Sequence, residues 1–148
     1  PLLRALRLDK ITLAILEGTL RLYQDEQQAL QKNPSLRMMT LSAEELASRA
    51  KAIVRRMRRA LPDNVSLKTL KGVSQVGGGT FPLLELPTTL ISISVDGLST
   101  QQLEQKLRRR LLPIIGRISQ GDFLLDPRTV ADQDIPDIIS ALQSLVAP

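Results

Sequence analysis

The first hydrophobic pattern follows Asp9. From Asp9 to about Gln24, apolar residues at helical spacing occupy most of the helix circumference, and Asp9 stands at the N-cap position. A helix that is apolar on nearly all sides must be covered on more than one side. We therefore expect this helix to be poorly covered within the chain, or to be buried by a second copy.

A second helix is predicted after a polar linker near Asn33-Pro34. Ser42 and Glu45 have the spacing of a capping box, and the helix should run to about Ala60, before Pro62. Its apolar residues recur at helical spacing and predict a buried stripe of Leu46, Ala50, Ile53, Val54, Met57 and Leu61.

Two strands should follow, joined by a glycine-rich segment. Val65 to Val76 has apolar residues at every third position, which predicts an irregular strand with a bulge near Gly72. Residues Leu90 to Val95 alternate apolar residues with serine, the pattern of a half-buried strand. The glycines Gly77, Gly78 and Gly79 indicate either a tight strand exit or a loop near a substrate, and the sequence leaves both open.

The last third of the chain predicts a helix, a hairpin and a final helix. Ser99 and Gln102 form a second capping box, so a helix should run from Thr100 to about Leu111 and bury Leu103, Leu107 and Leu111. The hairpin should comprise Ile114 to Ile118, a turn at Gln120-Gly121-Asp122, and Phe123 to Leu125, with the final helix beginning near Pro136. This order of elements predicts an α+β fold with an antiparallel or mixed sheet and helices packed on one face.

Composition narrows the chemistry. The 148 residues include no cysteine and no histidine, which excludes thiolate nucleophiles, imidazole acid–base pairs and the usual zinc ligands. We therefore predict no metal site. No apolar run approaches the length of a membrane span, and we expect a soluble cytoplasmic protein. Because the chain starts at Pro1 and not at methionine, we also expect it to be a fragment of a longer protein or a processed chain.

The formal charge of +5 permits a polyanionic partner. Its positive residues cluster at Arg55 to Arg59 and at Arg108 to Arg110, although a solvated helix face is the more common meaning of such clusters. The three aromatic residues, Tyr23, Phe81 and Phe123, are too few to form a platform for stacked bases.

Several blocks resemble one family in order and over nearly the whole chain. The opening Arg4-Ala5-Leu6-Arg7-Leu8-Asp9-Lys10, the blocks Leu36 to Thr40 and Ser74 to Gly79, and the closing Pro113 to Ile118 and Leu124 to Val130 resemble bacterial selenocysteine synthases. Each block is weakly specific by itself, and their shared order carries the resemblance.

The resemblance implies a fold-type-I pyridoxal-phosphate enzyme that converts seryl-tRNA(Sec) to selenocysteinyl-tRNA(Sec) through an aminoacrylyl intermediate, with selenophosphate as selenium donor. It implies that residues 1–40 are an active-site segment and linker helix, and that 41–148 are the small C-terminal domain. The cofactor lysine should lie upstream, so we expect neither bound pyridoxal phosphate nor activity in this chain alone. The family also assembles as a homo-oligomer of dimers.

The same resemblance implies roles for three arginines. The residues matching Arg4 and Arg7 lie in the family's active site and bind the phosphate of the selenium donor, so both are candidate catalytic and substrate-binding residues. Arg128 is a candidate substrate-binding residue, through a phosphate, or a structural one. No cofactor-binding residue is expected here.

Two other interpretations remain open at this point. The chain could be the small domain of another fold-type-I enzyme, such as a cystathionine-lyase-like protein or an archaeal enzyme of selenocysteine synthesis. It could instead be a basic RNA-binding module, which the isoelectric point near 10.1 and the arginine clusters suggest.

Overall fold

A computed structural model describes residue 4 and the ranges 6–77 and 84–146. It divides into two compact units, Pro1–Thr40 and Leu41–Pro148. Among the described residues, no helix combines the length and the apolar character needed to cross a membrane.

The first unit contains three helices: α1 (Lys10–Leu22), α2 (Glu26–Lys32) and α3 (Pro34–Thr40). Asp9 caps α1 as predicted, since its Oδ1 accepts from the backbone N–H groups of Ile11 at 2.8 Å and Thr12 at 2.9 Å. The prediction of a linker near Asn33 was wrong in part, because α2 and α3 occupy this region. Both helices have only seven residues, so neither presents a long apolar stripe in the sequence.

Helix α1 is poorly covered, as its apolar circumference predicted. None of its residues is buried, and except for half-buried Leu22 its large apolar side chains are between 47% exposed, at Leu16, and 73% exposed, at Ile11. In contrast, the second unit has a continuous core.

The second unit packs α4 (Ala43–Arg58), α5 (Thr100–Arg108) and α6 (Ile135–Val146) against a sheet of β1 (Val65–Gln75), β2 (Glu85–Val95), β3 (Arg117–Ser119) and β4 (Asp122–Leu125). The strand order is β1-β2-β4-β3 and every neighbouring pair is antiparallel. Both capping boxes are present, at Ser42 with Glu45 and at Ser99 with Gln102. The α+β prediction is confirmed.

The core lies between the sheet and its helices. It includes alternate residues of β1, β2 and β4 and every residue of the predicted α4 stripe except Leu46. Leu46 is also fully buried, but it is not part of this cluster. Ser92 was expected on the polar face of its strand, but it is buried and its hydroxyl donates to Asp122 Oδ1 at 3.0 Å.

The predicted bulge near Gly72 is wrong. The pairing of β1 with β2 runs without interruption from Val65 with Val95 to Gln75 with Glu85. A Cβ at position 72 would lie 2.7 Å from Leu90 Cδ1, so a larger residue there would require the Leu90 side chain to move. The apolar residues at every third position of β1 do not form a buried face, since Leu70 and Val73 are exposed.

The end of α5 also differs from the prediction. The helix stops at Arg108, and Leu111 is fully exposed instead of continuing the buried stripe of Leu103 and Leu107. The hairpin turn is confirmed at Gln120 and Gly121, whose φ angles of 52° and 86° are those of a two-residue turn with both central residues in the left-handed region.

Candidate functional site

Arg4 and Arg7 are both exposed and lie before α1. The nearby carboxylate of Asp9 is occupied by its capping role, because it also accepts from the hydroxyl of Thr12 at 2.6 Å. That hydroxyl, with the backbone of the same helical turn, lowers the pKa of Asp9. Within the described part of the chain, neither guanidinium forms an ion pair or hydrogen bond, so both are available to an external anion.

Arg128 has a different environment. It is 8% exposed, and its guanidinium donates to the carbonyl oxygens of Pro87 at 3.0 Å and Leu41 at 3.4 Å. These contacts tie the loop after β4 to the start of β2 and to the segment before α4. Arg128 therefore belongs to the second unit and is held by contacts within it, whereas Arg4 and Arg7 belong to the first unit.

Asp126 organises the loop that carries Arg128. Its Oδ1 accepts from the Thr88 hydroxyl and from the backbone N–H of Arg128, each at 3.0 Å, and its Oδ2 accepts from the Ser74 hydroxyl. One carboxylate thus joins β1, β2 and the loop, so Asp126 fixes where Arg128 leaves the sheet.

Arg49 is a contributor that the sequence analysis missed. From the middle of α4 it donates to the carbonyl oxygens of Pro127 at 3.1 Å and Val130 at 2.8 Å, and it pairs with Asp132 at 2.7 Å. The available signal was an arginine three residues after buried Leu46 and directly before buried Ala50, on the edge of the apolar stripe. Arg49 and Arg128 together anchor the loop from both sides.

Arg117 shows how far the long β1–β2 ribbon curls. Although β2 and β4 separate β3 from β1, the Arg117 Nη2 donates to the carbonyl oxygen of Val73 at 2.9 Å. A flat sheet would place those atoms well beyond the reach of one arginine, since adjacent strands are about 4.8 Å apart. The ribbon therefore bends over the sheet face that lacks the helices.

The lysines bear on the cofactor that the resemblance implies. All six are exposed, so no lysine is enclosed by residues of this chain. Pyridoxal phosphate needs a lysine held in a site from which water is excluded. The described residues therefore do not fit the cofactor by themselves.

Other candidate chemistry is limited. Gly78 and Gly79, and with them most of the predicted glycine-rich loop, lie outside the described residues. Among the residues that are described, no cluster of three or more acidic side chains could hold a metal ion.

Comparison with known proteins places the chain in a family. The model of the family described as L-seryl-tRNA selenium transferase matches residues 1–131. Curated relatives named L-seryl-tRNA(Sec) selenium transferase are 61% identical over 147 residues in Geobacter sulfurreducens, 46% over 143 residues in Nitratidesulfovibrio vulgaris and 40% over 152 residues in Solidesulfovibrio magneticus.

The alignments cover 97–100% of this chain but 30–32% of these relatives, so the chain spans about a third of their length. A match of this extent favours the selenocysteine synthases over the other fold-type-I enzymes and over an independent RNA-binding module. The chain belongs to the L-seryl-tRNA selenium transferase family.

Proposed function

We propose that this chain is the C-terminal part of an enzyme that converts seryl-tRNA(Sec) to selenocysteinyl-tRNA(Sec) in the cytoplasm, with selenophosphate as the selenium donor. The observation that carries the proposal is the family match over residues 1–131, combined with coverage of about a third of each relative. The remaining part of the enzyme would supply the cofactor lysine, and the chain alone would be inactive.

In this enzyme the chain would contribute Arg4 and Arg7. The two arginines are three residues apart and are free of internal acceptors among the described residues. A guanidinium is a planar, permanently charged fork that binds two oxygens of a tetrahedral oxyanion at once. Two such groups would hold the phosphate of the selenium donor and orient its selenium towards the seryl carbon. Pyridoxal phosphate would be held by residues of the full-length enzyme outside this chain and would supply the electron sink for chemistry at the seryl group.

Arg128 would support the site indirectly. It is a candidate for binding a phosphate, and its contacts with Pro87 and Leu41 favour the structural alternative, because donors already committed to backbone carbonyls are less available to a ligand. We propose that it keeps the loop after β4 in place.

The proposal is tested in the full-length enzyme with Arg4→Lys and Arg7→Lys. Lysine keeps the charge but loses the fork, so we expect selenium transfer to slow by roughly tenfold or more while cofactor loading and tRNA binding stay unchanged. Arg21→Lys is the matched control, because Arg21 is an exposed arginine that pairs only with Glu17 on the same helix. Unchanged transfer in both test variants would remove Arg4 and Arg7 from the site.

The enzyme would also assemble as a homo-oligomer of dimers. The support in this chain is α1, whose large apolar side chains are exposed along its length. Sedimentation of the full-length enzyme tests this: a monomer at micromolar concentration would contradict it.

A further inference from the structure

The outer face of α4 carries a stripe of four cations. Lys51, Arg55, Arg58 and Arg59 stand at positions i, i+4, i+7 and i+8 of one helix, and all four are exposed. This spacing places them on one side of the helix over about 12 Å. They line a groove of about 510 Å³ between α4 and Thr69 of β1.

Among the described residues, none of the four cations has an acidic partner. The three ion pairs formed by the described residues involve Arg21, Arg49 and Arg108, and none involves the stripe. Arg58 donates to the carbonyl oxygen of Leu67 at 2.8 Å, which fixes its guanidinium at the groove but leaves its charge uncompensated. Four like charges at this spacing repel one another, so the stripe costs stability unless an anion binds there.

The helix macrodipole explains only part of this cluster of cations. Cations in the last turn of a helix are stabilised by the macrodipole, and Arg55, Arg56 and Arg58 lie in that turn. Arg59 is the C-cap residue and benefits in the same way, whereas Lys51 lies near the middle of the helix, so the dipole does not account for the whole stripe. A ligand with negative charges spaced along a line accounts for all four.

The surroundings indicate which polyanion fits. The apolar side of α4 is buried in the core, and the groove is bordered by Thr69 and Val54 without an exposed apolar stripe, so the helix lacks the face that an interfacial membrane helix buries. No aromatic side chain of the described residues lines the groove, which leaves no platform there for stacking unpaired bases. Phosphates of a base-paired RNA need neither feature, since duplex RNA is recognised through its backbone and shape.

We propose that the groove lined by Lys51, Arg55, Arg58 and Arg59 binds the phosphate backbone of a base-paired RNA arm. The inference rests on the proposed function in one respect, because a tRNA substrate would provide such an arm. It assigns to the second unit a contact with the RNA that is independent of base sequence and separate from Arg4 and Arg7.

The test uses the 148-residue chain and a fluorescently labelled RNA hairpin with an uninterrupted stem, with binding measured by anisotropy over a series of salt concentrations. The test variant carries Lys51→Gln, Arg55→Gln and Arg59→Gln, and it retains Arg58 because of its bond to Leu67. The control variant loses the same three charges elsewhere, through Lys68→Gln, Lys106→Gln and Arg109→Gln, all exposed residues without ion pairs. Circular dichroism confirms that each variant is folded.

We expect the test variant to bind the hairpin about tenfold more weakly at low salt and to lower the slope of log K against log salt by about two. In the control variant, the affinity for the hairpin and the salt slope should both fall much less. A single-stranded RNA of the same length should bind the unmodified chain more weakly than the hairpin does. Three outcomes would each overturn the proposal. They are an equal loss of hairpin binding in the test and control variants, tighter binding of the single-stranded RNA than of the hairpin, and a test variant that still binds the hairpin normally but no longer binds anionic vesicles.

A second measurement separates this inference from the proposed function. In the full-length enzyme, the triple substitution should raise the KM for the aminoacyl-tRNA while leaving turnover at saturating substrate unchanged. An unmodified full-length enzyme without selenium transfer would refute the proposed function and leave the hairpin result standing. A full-length triple variant with unchanged KM would refute the groove as a tRNA contact and leave the proposed function standing.

Discussion

The guanidinium Nη2 of Arg128 donates to the carbonyl oxygen of Pro87 over 3.0 Å and joins residues 41 positions apart in the chain. Arg128 is buried at 8% exposure, so its charge-assisted hydrogen bonds contribute more than those of a solvent-exposed arginine. This contact, with that of Arg49 to the same loop, gives the second unit a polar junction outside its apolar core.

We expect Arg128→Met to lower the free energy of unfolding by about 2 kcal/mol, because methionine fills the space but leaves the carbonyl oxygens of Pro87 and Leu41 without this donor. Urea unfolding measures the effect. Arg21→Met is the control, since Arg21 forms an exposed ion pair that contributes at most about 0.5 kcal/mol. Equal stability of the two variants would mean that the junction does not stabilise the fold.

Two glycines should respond to alanine with opposite signs. At Gly116 a Cβ would overlap the Phe123 ring and lie 2.8 Å from the backbone oxygen of Leu124, so Gly116→Ala should destabilise by about 1–3 kcal/mol. At Gly18, within α1, a Cβ meets nothing within 4 Å, so Gly18→Ala should stabilise the helix by up to about 1 kcal/mol. Thermal unfolding followed by circular dichroism compares them. A stabilising Gly116→Ala would contradict the close approach of Phe123.

Leucines of the two units should differ in their response to truncation. Leu46 is fully buried, and Leu46→Ala should cost about 2–5 kcal/mol. Leu20 is 58% exposed, and Leu20→Ala should change the unfolding free energy by less than about 0.5 kcal/mol in this chain. Chemical denaturation measures both. A large loss from Leu20→Ala would show that α1 is covered in solution, by a second copy or by another part of the protein.

The capping box of α4 should be visible in a pH titration. The backbone N–H and the hydroxyl of Ser42 both donate to Glu45, and these bonds hold the pKa of Glu45 below its ordinary value of 4.5. A depressed pKa in the folded state means that this contribution to stability is present above about pH 4.5 and is lost as the pH falls through the folded-state value. Carboxyl NMR should find a pKa below 4.5 for Glu45. Ser42→Ala should move it partly back, because the backbone N–H remains, and an unchanged value would show that the hydroxyl does not contribute.

Features that depend on a few neighbouring residues could be predicted from the sequence alone. Asp9, the two capping boxes and the Gln120-Gly121 turn satisfy or orient backbone groups within a few residues, so their effects do not depend on distant parts of the chain. The alternation in β2 and the stripe of α4 likewise identified most of the core, because burial follows the period of each element. The apolar circumference of α1 predicted that the chain would leave this helix poorly covered, and none of its residues is buried.

Features that depend on contacts between distant residues could not be predicted from the sequence, because they arise when separate elements pack together. The sequence suggested a bulge at Gly72, but the pairing of β1 with β2 is continuous there, and the atoms closest to a Cβ at this position belong to Leu90 on the neighbouring strand, which no pattern within β1 reveals. The partners of Arg49 and Arg128 lie 41 to 87 positions away, so their burial and their bonds appear only after the strands and helices have packed. The same holds for the groove beside α4: the sequence shows a cluster of arginines, and the packing of α4 on β1 determines that four cations share one groove without an internal counter-ion among the described residues.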